Sequence, residues 1–147
     1  MSKPPFRSDH VGSLLRTPAL HEARAKFRVG EIDQQALTAI EDREIEEVVR
    51  RQEGIGLKLA TDGEFRRSWW HFDFYKSLLG VEMHQVASGI QFAGVATKAE
   101  SVRVVGKLDF GVHPHLDHFS FLKSVAKVTP KMTIPAPSTL HFRQGRI

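Results

Sequence analysis

Apolar positions recur at helical spacing most clearly over residues 33–53. Leu37, Ile40, Ile45, Val48 and Val49 fall on one stripe. Glu46 with Arg50 and Glu47 with Arg51 stand four apart on the other side. Such pairs add only ~0.2–0.5 kcal/mol each, so the apolar stripe decides the helix. Asp33 can cap its start, and Gly54 and Gly56 stop it. Leu20, Ala23 and Phe27 predict a second helix over 18–29, opened by Pro18 and ended by Gly30. A third, over 114–127, starts at Pro114 and carries Leu116, Phe119, Leu122, Val125 and Ala126 on one side. Residues 67–80 also read as helical, bounded by Gly80.

Between these runs the pattern is that of strands. Residues 8–14 predict a short strand ending in a turn, and 57–65 a strand ending at Thr61-Asp62-Gly63-Glu64. Scattered β-branched and aromatic residues over 83–110, broken by Gly89, Gly94 and Gly106, suggest two or three antiparallel strands. The stretch 131–142 is expected to close the chain as a strand ending at Pro135. No internal repeat or low-complexity tract is present. Strands separated by helices imply parallel pairing with right-handed crossovers, and therefore an α/β fold with a hairpin insertion. Ligands of such folds sit at the C-terminal ends of strands. Three polar strand ends are expected there: Val11-Gly12-Ser13, Asp62-Gly63-Glu64 and Ala136-Pro137-Ser138-Thr139.

Composition narrows the function classes. The chain has 147 residues, 41% hydrophobic and 26% charged, which fits one globular domain over 1–147. No apolar run approaches the ~20 residues that cross a bilayer, and the first residues hold no apolar signal core, so a cytoplasmic protein without a membrane partner is expected. The sequence contains no Cys, which removes disulfides, thiolate nucleophiles and thiolate metal ligands. The net charge of +4 is uneven. Acids concentrate over 31–53, and none follows Asp117, where Lys123, Lys127, Lys131, Arg143 and Arg146 remain. These cations are thinly spread with few aromatics between them, which favours a solvated face over a nucleic-acid surface.

Four groups could carry chemistry. Gly12-Ser13 is either a plain turn or a backbone cradle for a carboxylate, with Ser13 as donor. Asp62 and Glu64 could accept an ammonium group and titrate as a pair; a solvated turn pairing with Arg66 and Arg67 explains them equally well. The tract His113-Pro114-His115-Leu116-Asp117-His118 resembles a metal site in composition. Pro114 as a helix start leaves His113 outside, however, and favours a surface helix end. Trp69 and Trp70, at adjacent helix positions, would diverge by about 100°, so at least one belongs to a core while the other could stack on a flat ligand.

The stretches "DHVGSLLRTPAL", "EDREIEEVVRRQEGIGLKLATDGEFRRSWWHFDF" and "KMTIPAPSTLHF" together resemble the start of cobalamin-independent methionine synthase (MetE-type) catalytic domains, most closely the short single-domain bacterial homologues. The likeness runs in order along nearly the whole chain, and Asp-Gly-Glu-Phe-Arg-Arg is its most specific part. It implies a (β/α)8 TIM barrel, of which this chain would hold about the first three β/α units, a truncated piece. It implies a 5-methyltetrahydropteroyltriglutamate–homocysteine S-methyltransferase, in which zinc activates the thiol of homocysteine for methyl transfer from 5-methyltetrahydrofolate. Val11-Gly12-Ser13 matches the turn that holds the amino-acid end of homocysteine or methionine, and Glu64 matches the carboxylate that takes its amino group. Asp62 stands where the family usually has His. The family's zinc ligands, a His, a Glu and two Cys, have no counterpart in this chain, so no metal ligand and no catalytic residue is assigned, and inactivity of the chain alone is expected. A non-catalytic amino-acid-binding or assembly module is the alternative. The open parallel edge implies a homo-oligomer that covers it.

Overall fold

The computed structural model describes residues 10–87, 91–92, 95–96 and 99–142. Ser8 and Asp9 of the expected first strand, the Gly89 and Gly94 breaks, and Arg143 and Arg146 lie outside the described residues. The elements are α1 (Pro18–Arg28), α2 (Gln34–Gly54), β1 (Leu59–Ala60), α3 (Phe72–Tyr75), β2 (Leu79–Gln85), β3 (Gln91–Phe92), β4 (Val95–Ala96), β5 (Glu100–Asp109), α4 (Pro114–Val125), β6 (Thr129–Pro130) and α5 (Pro137–Phe142). They fall into two compact units: Met1–Arg67 with Leu116–Thr133, and Ser68–His115 with Ile134–Ile147.

In the first unit, α1 starts where Thr17 accepts the Leu20 N–H (3.2 Å) and Pro18 takes the first turn. Asp33 caps α2 by accepting the Ala36 N–H at 2.8 Å. The α2 stripe buries Leu37, Ile45 and Val49, with Glu41 and Gln52 buried on the same face. Burial pushes the Glu41 carboxyl above its usual range, against the pull of Arg24 (3.5 Å) and Arg66. The Glu46–Arg50 and Glu47–Arg51 pairs form on the outer side, at 2.6 and 2.8 Å. Leu20, Ile45, Val49, Ala60, Phe65 and Leu122 make the core. Each large side chain hidden this way contributes about 1.5–3 kcal/mol. Phe27 and Leu116, expected on buried faces, are exposed.

β1 and β6 pair in parallel, Leu59 opposite Thr129, and the Lys131 N–H extends the ladder to Ala60 O at 2.8 Å. The described residues thus hold one parallel pair where three β/α units were expected. Residues 10–14 form no strand; Leu14 N–H donates to Gly63 O (3.0 Å) without a ladder around it. The strand expected over 57–65 shrinks to two residues because the chain turns at Thr61. The closing strand ends at Pro130, not Pro135: Pro135 and Pro137 have no N–H to give a ladder, and Pro137 instead opens α5.

In the second unit the helix expected over 67–80 is reduced to Phe72–Tyr75, and β2 already begins at Leu79. β2 and β5 are antiparallel, as are β3 and β4, giving four strands among the described residues where two or three were expected. Phe72, Tyr75, Val81 and Val102 form the core here, with Trp69 packed on it, and Tyr75 OH donates to Ala136 O at 2.8 Å. Neither Trp69 nor Trp70 lies in a helix; Trp70 is exposed. His113 and His115 are buried, which corrects the reading of a surface helix end. His113 Nε2 donates to Phe74 O (3.0 Å) while its Nδ1 accepts the His115 N–H (3.2 Å), and the ring stacks on Phe110 with centroids 5.0 Å apart.

Candidate functional site

The first unit concentrates its buried polar groups in the turn that follows β1. Thr61, Asp62, Glu64 and Arg67 are all less than a tenth exposed. The turn is anchored from α2: Gln52 Nε2 donates to Thr61 O (2.8 Å) and its Oε1 accepts the Thr61 N–H (3.0 Å). Gly63 and Glu64 both have positive φ, 65° and 56°, and the Phe65 N–H closes onto Asp62 O at 3.3 Å. Positive φ at both central residues is the type I′ pattern. Gly63 is required there, since a Cβ would stand 3.0 Å from the Phe65 ring. Glu64 is the sole non-glycine with positive φ among the described residues. Such backbone costs on the order of 1–3 kcal/mol and persists where surrounding contacts over-determine it.

That conformation aims the Glu64 carboxylate at Ser13. Ser13 Oγ donates to Glu64 Oε2 at 2.9 Å, 51 residues apart in sequence. Thr133 Oγ1 donates to Oε1 at 2.8 Å, and Arg67 Nη1 lies 3.4 Å from the same oxygen. Arg67 Nη2 also bonds Thr133 O. The two strand-end turns named from the sequence are therefore in direct contact, with Ser13 at the exposed border and Glu64 buried. A carboxylate accepts about four bonds, so two hydroxyls and one guanidinium leave room for a further donor. An N–H donor supplied there by a ligand cation would be charge-assisted.

The other predicted residues take different parts. Asp62 does not offer a free carboxylate on the surface; its Oδ1 accepts the Glu64 N–H at 2.9 Å and braces the turn. Of the solvated-turn reading, the pairing with Arg67 holds, but the turn is buried and Arg66 pairs with Asp42 instead. Gly12 has φ 91°, and its carbonyl is bonded by His10 Nε2 at 2.6 Å. Val11 turns outward, 73% exposed, so only its backbone belongs to the turn. No strand ends at Ala136–Thr139, which opens α5 instead. Sequence reasoning missed Thr133, Lys131, whose Nζ donates to His10 O (2.9 Å), and Arg16, which bonds the turn's carbonyls. The only local hint was that these residues lie within a few positions of predicted strand ends.

The second unit has a cavity of about 430 Å3 bordered by Trp69, Phe72, Asp73, Lys76, His84 and Glu100, and none of the five predicted site residues lines it. Zinc, implied by resemblance, does not fit the donors present: among the described residues no group of three or more His, Cys, Asp or Glu could hold a metal, and the sequence has no Cys. No helix among the described residues is long and apolar enough to cross a membrane.

Comparison with known proteins gives the same direction throughout. The chain is 53% identical to YxjH of Bacillus subtilis (strain 168) over 95% of its own length and 37% of that protein. It is 40% identical to the 5-methyltetrahydropteroyltriglutamate–homocysteine methyltransferase of Synechococcus sp. (strain JA-2-3B'a(2-13)) over 44% of this chain and 9% of that one. Among solved structures, the Listeria monocytogenes protein assigned as a vitamin-B12 independent methionine synthase superposes with TM-score 0.78 at 43% identity, over 97% of this chain and 40% of that one. The chain thus spans about two fifths of the length of YxjH and of the Listeria protein. The sequence profile of the cobalamin-independent synthase catalytic domain matches residues 6–108, well over half of the chain. The chain belongs to the cobalamin-independent synthase catalytic-domain family.

Proposed function

We propose that the first unit carries the amino-acid half-site of a methionine-synthase-type methyltransferase. Glu64 takes the ammonium group of homocysteine or methionine. The backbone of Val11, Gly12 and Ser13, with the Ser13 hydroxyl turned outward, takes the carboxylate. Asp62 holds the turn in shape. What carries this reading is the 2.9 Å bond between Ser13 and Glu64, two residues matched to the family's substrate-binding turns. The Ser13 hydroxyl donates to Glu64, and ligand binding exchanges that bond for one to the substrate carboxylate. Methyl transfer from 5-methyltetrahydrofolate would belong to the whole barrel, with zinc activation of the thiol supplied by residues other than those described here. A (β/α)8 barrel of which this chain holds about three units, a homo-oligomer covering the open parallel edge, and a cytoplasmic setting complete the proposal.

Titration calorimetry of L-methionine against the wild type and Glu64→Gln tests it. Losing a bond to a charged group costs about 1.5–3 kcal/mol, a weakening of roughly tenfold to a hundredfold. Equal affinity of the two proteins would reject the assignment. A second reading, an amino-acid-binding module without chemistry of its own, is favoured by the donor set, since no thiolate ligand exists in the sequence. Homocysteine alkylation by the zinc-loaded chain tests the module: turnover rejects it, whereas binding without turnover fits both readings, since the first places the zinc ligands on residues other than those described.

A further inference from the structure

We propose that Arg16 is a positioning residue, holding Glu64 in its left-handed conformation by gripping the carbonyls of the turn; the consequence for ligand binding rests on the half-site reading above. Glu64 adopts a backbone that its own side chain disfavours, so bonds on both sides must hold it. On the N-terminal side the Asp62 carboxylate takes the Glu64 N–H. On the C-terminal side the Arg67 N–H reaches Glu64 O at 3.1 Å, and Arg16 is the side chain that joins it there. Its Nη2 donates to Glu64 O at 2.8 Å and to Arg67 O at 2.6 Å, and its Nε reaches Phe65 O at 3.5 Å. A planar guanidinium can span several carbonyls of one turn at fixed geometry; an ammonium on a flexible stem cannot.

Two further observations point the same way. Arg24 Nη1 adds a second cation on Arg67 O at 3.0 Å and is itself paired with buried Glu41 at 3.5 Å, so the carbonyl that Arg16 grips is fixed from α1 and α2. Arg16 also lies three residues after Ser13. One short segment therefore holds Glu64 twice, by its carboxylate through Ser13 and by its carbonyl through Arg16. Displacing the carbonyl grip rotates the peptide and carries the carboxylate away from Ser13.

The test uses Arg16→Lys, which keeps the charge and most of the stem, and Arg16→Met, with Arg50→Met on the exposed face of α2 as a charge control. The first readout needs no ligand: the 13Cα and 13Cβ shifts of Glu64 report its φ. They are expected to lose the left-handed signature in both Arg16 variants and to keep it in the control. The second is the ratio of affinities for L-methionine and its deaminated analogue 4-(methylthio)butanoate. A residue with a merely structural role lowers both affinities together. Loss of aim at the ammonium lowers the ratio, by tenfold or more in Arg16→Lys. Unchanged Glu64 shifts in Arg16→Lys overturn the proposal whatever the ligands do, and so does an unchanged ratio in a wild type that prefers methionine. Shifts that move while the wild type binds neither compound leave the clamp standing and reject the amino-acid reading instead.

Discussion

Gln52 is the perturbation that best separates packing from hydrogen bonding in the support of the site. It is 5% exposed and sits in the apolar stripe of α2. Its amide bonds both backbone groups of Thr61, at 2.8 and 3.0 Å, and donates to Val48 O at 3.1 Å. Gln52→Leu keeps the volume and improves the stripe by any hydrophobicity scale. It also leaves a buried N–H and a buried C=O of Thr61 without their partner. Each orphaned group costs about 1–3 kcal/mol, and the leucine returns up to about 2 kcal/mol of apolar burial. At a mid-range cost of about 2 kcal/mol for each of the two groups, the expected net loss is about 2–4 kcal/mol. Gln52→Glu retains an acceptor for the Thr61 N–H but sets a second oxygen against Thr61 O and buries a charge, so its loss should be larger still. Urea titration followed by far-UV circular dichroism measures both, since Trp69 and Trp70 belong to the other unit and tryptophan fluorescence would report that one. A loss under about 1 kcal/mol for Gln52→Leu would show that the clamp on Thr61 is dispensable, and with it the account of how α2 fixes the turn.

Gly63→Ala should cost about 2 kcal/mol, from a non-glycine at positive φ and a Cβ pressed on the Phe65 ring, and the same titration reads it; a change within ~0.5 kcal/mol would contradict the turn geometry. Burial first, then Arg66 and Arg67, hold the His118 imidazole below its usual range against Asp62 and Asp117. The fold therefore favours neutral His118, and this stability is present above the ordinary value of 6.5 and lost as pH falls through the lower folded value. Unfolding free energy measured from pH 7.5 to pH 5 should drop less steeply in His118→Gln than in the wild type, and parallel curves would refute the assignment. For Asp73, burial raises the carboxyl, but the bond from Lys76 and the N–H groups of Trp69 and Ser68 outweigh it and leave it below the ordinary 3.8. The advantage of wild type over Asp73→Ala, read by tryptophan fluorescence in urea, should hold above that pH and vanish as pH falls through the folded value; an advantage that persists in acid would place its origin elsewhere.

What the sequence made legible, and what it hid, follow from how local each feature is. The stripe and Asp33 cap of α2, and Pro18 at the start of α1, are encoded within a few residues and read correctly. Strands are defined by a neighbour's hydrogen bonds: β1 and β6 lie seventy residues apart and pair for two residues only, so their extent could not be read from either segment alone. Glu41 and Gln52 look like solvent-facing interruptions of a stripe. They are buried because Arg24 and Thr61 meet them from elsewhere in the chain. The same applies to His113, read as surface because Pro114 leaves it just outside a helix, and buried because Phe74 and Phe110 pack on it. At the site, Asp62-Gly63-Glu64 was equally consistent with a solvated turn and with a binding group, and no inspection of those three residues could decide between them. What removed the solvated turn was Ser13, Thr133 and Arg67 converging on one buried carboxylate. A glutamate held at positive φ, with two hydroxyls and a guanidinium directed at it, is more constrained than a turn needs to be. A substitution at Thr133 that disturbed binding while leaving the α2 clamp intact would show the constraint to serve recognition.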